Sequence, residues 1–158
     1  MRVICVILFF FFAFISCNVE IDSFYKTNRV EDINVLPLIK PYRLFTPIHD
    51  NTIWSLKFKN KVKQKYGFED QTNVCRINVV NRIIYGHCME FQSYPNYYFV
   101  IIPDENIEKA FEFKNEWSLY LHEHGVNSDE LYHVLNVYWD FKKDYRSLPW
   151  YDQIKNQE

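Results

Sequence analysis

Residues 73–91, NVCRINVVNRIIYGHCMEF, contain two β-rich runs separated by Asn81 and Arg82. Both runs are rich in valine and isoleucine, and a two-residue separation is the spacing of a tight β-hairpin. Residues 80 and 83 then face each other across the turn. The stretch therefore predicts two antiparallel strands joined by a tight turn.

The same register predicts a disulfide bond. If residues 80 and 83 are paired, Cys75 faces Cys88 at a closely spaced position, where the Cα separation of about 4.5 Å lies at the low end of the disulfide range. The two cysteines share an apolar face with Ile77, Val79 and Ile84. The alternatives are two buried free thiols or a different register, because Asn-Arg is a poorer hairpin turn than Asn-Gly.

Further strands are expected on both sides of this ribbon. Residues 52–67 alternate apolar residues with lysines, as a half-buried strand does, and residues 97–102 form an apolar central strand. Residues 107–113 fit either a strand or a helix start. Helices are predicted over 116–124 and from residue 127 onward. The predicted fold is α+β: an antiparallel sheet of about four to six strands, packed with a C-terminal helical hairpin.

Composition restricts the function classes. The chain has 158 residues, 48% hydrophobic and 24% charged, which fits one globular domain and argues against wholesale disorder. The formal net charge of −2 argues against a general nucleic-acid binder. The chain has three glycines, which leaves little room for a glycine-rich phosphate loop, and no cofactor is expected.

The N-terminus has the form of an export signal. Arg2 precedes an unbroken apolar run from Val3 to Ile15, followed by Ser16 and Cys17. Residues 13–17, AFISC, resemble the lipobox of bacterial lipoproteins, with Phe14 where that family usually has leucine. The resemblance implies that residues 1–16 are removed and that Cys17 is lipidated. Secretion of a soluble protein and an uncleaved anchor are the alternatives.

This interpretation divides the chain into three parts. Residues 1–16 are the signal peptide, residues 17–34 a lipidated N-terminus with a flexible tether, and residues 35–158 a single domain. Asn18 stands where enterobacterial lipoproteins retained in the inner membrane carry aspartate. The resemblance therefore favours a lipid-anchored location at the outer membrane of the cell envelope.

No catalytic or metal site is predicted. His122-Glu123-His124 lacks the HExxH spacing that places two histidines on one helix face, although one of them could join His133. The chain has no GxSxG or SxxK motif for a serine nucleophile. Paired carboxylates far apart in sequence leave no local trace, so an enzyme acting on cell-envelope material is the alternative.

Two sets of residues are candidate binding sites. The first is a stripe of alternating lysines that could face an anionic partner, although lysines also protect exposed edge strands: Lys57, Lys59, Lys61, Lys63 and Lys65. The second is a tyrosine cluster, in which Tyr94 and either Tyr97 or Tyr98 are expected to be exposed.

Together these features predict an envelope-anchored, non-enzymatic binding lipoprotein. Its expected contacts are the membrane, through the N-terminal lipid, and a protein partner. In size, net negative charge and expected cellular location it resembles the periplasmic immunity proteins of contact-dependent toxin systems. This resemblance implies an immunity or inhibitor role against an envelope-targeting toxin. An envelope hydrolase and a soluble secreted binding protein are the alternatives.

Overall fold

Two antiparallel sheets form the framework of the domain. The computed structural model describes residues 21–49, 52–58, 73–89 and 96–155. The first sheet has the order β1-β2-β3-β4: Arg29–Val30, Ile33–Pro37, Arg43–Pro47 and Ser55–Leu56. The second has the order β8-β7-β6-β5-β9: Ile107–Phe111, Tyr97–Ile102, Ile83–Cys88, Val74–Val80 and Tyr132–His133.

Four α-helices accompany the sheets in the described ranges. They are α1, Ser23–Lys26; α2, Lys114–Glu123; α3, Val134–Lys143; and α4, Tyr151–Lys155. Short 3₁₀ turns follow β7 and α3 at Pro103–Glu105 and Tyr145–Ser147. The prediction of an α+β fold with antiparallel sheet structure and C-terminal helices is confirmed. Within the described residues, no helix is both long enough and apolar enough to cross a membrane.

The predicted hairpin is the centre of the second sheet. Val80 pairs with Ile83, and both turn residues have positive φ, 51° at Asn81 and 64° at Arg82. Positive φ at both central residues is typical of a type I′ turn, whose backbone twist matches that of the flanking strands. Positive φ disfavours arginine, but here its guanidinium makes two 2.7 Å hydrogen bonds to Asp104. A tertiary contact thus supports a turn for which the local sequence is not ideal.

The five-stranded sheet is covered on both faces, because its alternating side chains enter two separate cores. One face packs with the first sheet and α3 through Ile77, Phe99 and Tyr138. The other packs with α2 through Tyr85, Val100 and Trp117. The two long helices therefore lie on opposite faces of this sheet. This places α2 on the far side of the second sheet from the first.

The described part of the predicted tether is folded. Ile21 and Tyr25 are 8% and 4% exposed and belong to the main core, and β2 begins at Ile33. Asp22 caps α1 by accepting a 2.7 Å hydrogen bond from the Phe24 amide. The prediction of a flexible tether to residue 34 is wrong for residues 21–34. Its scattered apolar residues are core anchors, which lack the regular period of a longer helix or strand.

Two other segments differ from or complete the sequence-based prediction. Ile107–Phe111 is a strand that pairs with β7, which settles the ambiguity between strand and helix. The last long helix begins at Val134 instead of near residue 127, because Tyr132 and His133 first pair with Ile77 and Arg76 of β5. Strand pairing at the sheet edge therefore outweighs the local helix-start signal.

Candidate functional site

The predicted disulfide is absent from the structure, and both cysteines are free. The hairpin register holds from the turn as far as Arg76 opposite His87, and then a β-bulge shifts it, so that Val74 faces Cys88. Cys75 is the extra residue of the bulge. The prediction that Cys75 faces Cys88 is therefore wrong. Its error is the assumption of an unbroken ladder, since one inserted residue changes the partner of every residue beyond it.

Displacement by the bulge brings Cys75 into a polar cluster with His87 and Asn96, which we call the thiol cluster. Cys75 Sγ lies 3.4 Å from His87 Nδ1 and 3.3 Å from the His87 carbonyl oxygen. His87 Nε2 contacts the amide oxygen of Asn96, and in the neutral tautomer that donates to this oxygen Nδ1 is unprotonated and faces the thiol. A cavity of about 270 Å³ also borders Cys75, lined by Trp54, Met89 and other residues. The connectivity is that of a cysteine nucleophile with an oriented base.

The protonation states of the cluster do not match that role. Burial raises the pKa of the Cys75 thiol, and burial lowers the pKa of His87 despite its hydrogen bond to Asn96. A catalytic cysteine needs the opposite, a thiolate beside an imidazolium or another source of positive charge. Burial thus disfavours the charged form of both groups. The contacts of Cys75 with His87 satisfy polar groups at the bulge.

Thiol reactivity tests this assignment. Titration of the unfolded, unreduced mature protein should find two free thiols in addition to any at position 17. In the native protein, Cys75 should react with iodoacetamide more slowly than free cysteine at neutral pH and faster as the pH rises, because its thiolate forms only at higher pH. Cys88, which is 1% exposed, should react only after unfolding. A Cys75 that alkylates faster than free cysteine at neutral pH would instead be an activated nucleophile.

The histidines singled out by the sequence do not converge. His122 is exposed on α2, and His124 Nδ1 lies 2.8 Å from the Tyr120 carbonyl oxygen in the same helix end. His133 belongs to β9 and faces Arg76 in the strand pairing. Within the described ranges, no group of three or more histidine, cysteine or acidic side chains is arranged to hold a metal ion.

Tyr97 and Tyr98 occupy different environments. Tyr97 is 2% exposed and lies in the main core, so it is not an exposed binding residue. Tyr98 is half-buried, with its ring 4.6 Å from His87 and 4.9 Å from Trp117. Alternation along β7 sends the two rings to opposite faces of the sheet. Both support packing, and Tyr94 lies outside the described residues.

Lys57 is exposed just beyond β4, whereas Lys59, Lys61, Lys63 and Lys65 lie outside the described residues. Lys57 borders a groove of about 280 Å³, which we call the basic-aromatic groove. Its lining combines two cations with apolar rings: Pro41, Tyr42, Arg43, Phe45, Lys57 and Phe58. Among the described residues, that lining includes no acid. One member of the predicted lysine stripe thus lies at a concave, positively charged site.

Arg43 is the least satisfied cation of the basic-aromatic groove. Its Nε atom is buried without a hydrogen-bond partner among the described residues, and its guanidinium carbon lies 3.9 Å from the centre of the Phe24 ring. Burial lowers the pKa of Arg43, an effect opposed by the charge of Asp22. Within the part of the chain that the structure describes, Arg43 and Lys57 form no salt bridge. Arg43 and Lys57 thus bring two positive charges to the lining of the groove, where an anion could be bound by the accessible part of the guanidinium and by the ammonium group.

A second exposed surface lies on α2 and was not found from the sequence. Leu119 and Phe113 are 62% and 56% exposed, the highest values among large hydrophobic residues in the described part of the chain. Glu116, Leu119 and Glu123 follow helical spacing and share one side of α2, and Phe113 precedes them by one turn. We call these four residues the α2 face. The sequence feature that could have revealed this surface is Leu119, which helical spacing places on the opposite side of α2 from the buried Trp117 and Leu121.

Comparison with protein-family models, curated proteins and solved structures finds no match for this chain. Its own residues are therefore the basis for assigning a function.

Proposed function

We propose that the chain is an envelope-tethered binding protein that engages a cationic protein partner through the α2 face. The observation that carries the proposal is the exposure of Leu119, on the side of α2 opposite the buried Trp117 and Leu121, and of Phe113 at the helix N-cap. Exposed aromatic and aliphatic side chains beside charged ones are typical of an interface, whereas scattered single residues are not.

Charge on the α2 face supports a basic partner. Glu116 and Glu123 flank Leu119, and neither forms a salt bridge with a described residue. The chain as a whole is also acidic, with a formal net charge of −2. Negative charge around an apolar centre increases the association rate with a positively charged partner and disfavours acidic competitors.

The position of Glu123 gives a further reason to assign α2 a binding role. It lies in the last turn of the helix, where the macrodipole disfavours a carboxylate by about 0.3–1 kcal/mol. A lysine or arginine there would stabilise the helix. A partner with a positive charge at this position would offset the unfavourable interaction of Glu123 with the helix dipole.

The helix is held rigidly enough to present a preformed surface. Trp117 is fully buried and its indole N–H donates a 3.1 Å hydrogen bond to the Phe99 carbonyl oxygen of β7. At the other end, Gly125 terminates the helix with φ of 78°, and its carbonyl oxygen accepts from Asn81. A preformed helix loses little conformational entropy on binding, so more of the contact energy appears as affinity.

A role as an immunity or inhibitor protein is the version that these features favour. Lipidation at Cys17, as the lipobox resemblance implies, would hold the domain at the envelope, where it meets proteins that cross it. An envelope hydrolase that uses paired carboxylates stays the alternative; for the thiol cluster, burial disfavours the charged forms of Cys75 and His87.

Charge substitution on the α2 face tests the proposal. A basic protein captured by the wild-type chain from solubilised envelope should be lost with Leu119→Lys and with Glu116→Lys. Loss of a central interface residue commonly weakens binding by about thirtyfold or more. The matched control is Trp139→Lys on α3, at a residue 42% exposed. Equal capture by all three variants, or equal loss with the control, would contradict the α2 assignment.

A further inference from the structure

The basic-aromatic groove is not explained by a partner bound at the α2 face. It belongs to the first sheet and the segment after β4, and Tyr42 and Phe58 of its lining pack with the main core. The α2 face lies beyond the second sheet, against the other core. Occupancy of the groove therefore requires a second ligand.

The chain enters the domain beside this groove. Phe24 of α1 stacks against the Arg43 guanidinium, and Asp22 pairs with Lys40, which precedes the groove residues in sequence. Three residues, 18–20, separate Cys17 from Ile21, the first described residue and a member of the main core. A fully extended chain spans about 3.5 Å per residue, so Ile21 lies within roughly 14 Å of Cys17. A lipid on Cys17 would therefore hold the groove close to the bilayer surface.

The local charges also suit a membrane with anionic headgroups. Arg43 and Lys57 contribute two positive charges without salt bridges to described residues, while the positive charge of Lys40 is paired with Asp22. Glu108 contacts the groove lining, where its carboxylate accepts a 2.9 Å hydrogen bond from the Tyr42 hydroxyl, and Asp22, which pairs with Lys40, also acts on Arg43 through its charge. The groove lining keeps a positive excess of one even when Glu108 is counted with it.

The side chains around the cations favour a headgroup over a freely diffusing ion. Phe45 and Phe58 are half-buried, and they and Tyr42 give the groove an apolar wall. Aromatic rings beside lysine and arginine are typical of the membrane–water interface, where the rings meet the glycerol region and the cations meet phosphate.

We propose that the basic-aromatic groove binds the phosphate of an anionic phospholipid headgroup beside the lipidated N-terminus, with Arg43 and Lys57 as the phosphate ligands. The bound phosphate accepts hydrogen bonds from the Arg43 guanidinium and a charge contact from Lys57. Contact at this side leaves the α2 face directed away from the bilayer, toward a protein partner. The assignment depends on the anchor at Cys17 for its geometry but not on the partner proposed for α2.

Vesicle binding by the mature chain carrying Cys17→Ala tests the groove without the lipid. The protein should bind phosphatidylcholine vesicles that contain phosphatidylglycerol and should bind pure phosphatidylcholine vesicles far less. Each cation near an anionic surface contributes about a fivefold gain in partitioning, so the double variant Arg43→Gln/Lys57→Gln should bind roughly thirtyfold less. The control Lys142→Gln/Lys155→Gln removes two exposed lysines from α3 and α4 and should change binding little.

Several outcomes would overturn the proposal. Equal binding to both vesicle types would exclude an anionic headgroup, and equal losses in the two double variants would indicate diffuse electrostatics instead of a site. Displacement by inorganic phosphate at constant ionic strength would identify a free-phosphate site. A groove variant that keeps vesicle binding but loses the captured protein would assign the groove to a protein. Because α2 variants leave the groove intact, failure here is distinguishable from failure of the α2 assignment.

Discussion

Replacing Cys17 with alanine is expected to move the protein from the membrane fraction to the soluble fraction and to abolish labelling with palmitate. Each buried methylene of an acyl chain contributes about 0.8 kcal/mol to membrane binding, and more than one chain makes the anchoring stable. The two cations of the basic-aromatic groove contribute far less than this. Loss of the lipid should therefore dominate any contribution from the folded domain.

Detergent-phase partitioning of the wild-type protein and two variants measures this effect. Cys75→Ala is the matched control, since it removes a cysteine from the bulge and leaves the N-terminus unchanged. The control should stay in the detergent phase and keep its palmitate label. If Cys17→Ala partitions like the wild-type protein, the lipobox interpretation is wrong and another segment holds the protein at the membrane.

Gly86→Ala is expected to destabilise the domain strongly, because the added methyl group has no room. A Cβ atom at residue 86 would lie 2.5 Å from the Arg76 carbonyl oxygen and 2.6 Å from Cζ of Phe99. Both neighbours are fixed, one by the strand ladder and the other by the core, where Phe99 is fully buried. The free energy of unfolding should fall by about 3 kcal/mol, at the upper end of the range for overpacked cores.

Urea denaturation of Gly86→Ala beside Gly125→Ala separates steric conflict from backbone strain. Gly125 has φ of 78°, but a Cβ there would have no neighbour within 4 Å among the described residues. Its replacement should cost roughly 1 kcal/mol, the usual penalty for a left-handed residue that is no longer glycine. Equal losses in the two variants would mean that β6 does not pack closely on Phe99.

The central hairpin could be predicted from the sequence because its information is local. A two-residue loop between two β-rich runs specifies the pairing of Val80 with Ile83, and the structure has that pair. The bulge at Cys75 has no comparable local signal. It lies where the Trp54 carbonyl oxygen accepts a hydrogen bond from Val74 and where β9 pairs with Arg76, and both partners are distant in sequence. The error about the disulfide follows from this non-local pairing.

The candidate sites show the same division between local and distant information. The lysine alternation predicts that Lys57 is exposed, as it is in the structure. The alternation does not predict that Lys57 lines one groove with Arg43, Phe45 and Phe58. Likewise, His87 contacts both Cys75 and Asn96 because β6, which carries His87, lies between β5 and β7. The exposed Leu119 could have been found from the sequence, since it lies about half a turn away from Trp117 and Leu121 on the predicted helix.

Crosslinking from the α2 face in intact cells tests the central claim most directly. A photoreactive residue at position 119 should form a covalent adduct with a basic protein, and the same residue at position 139 on α3 should not. Adding Glu116→Lys should abolish the adduct at position 119 while the protein remains folded and membrane-bound. Adducts of equal yield from both positions, or an adduct at 119 that Glu116→Lys leaves unchanged, would contradict binding of a cationic partner through α2.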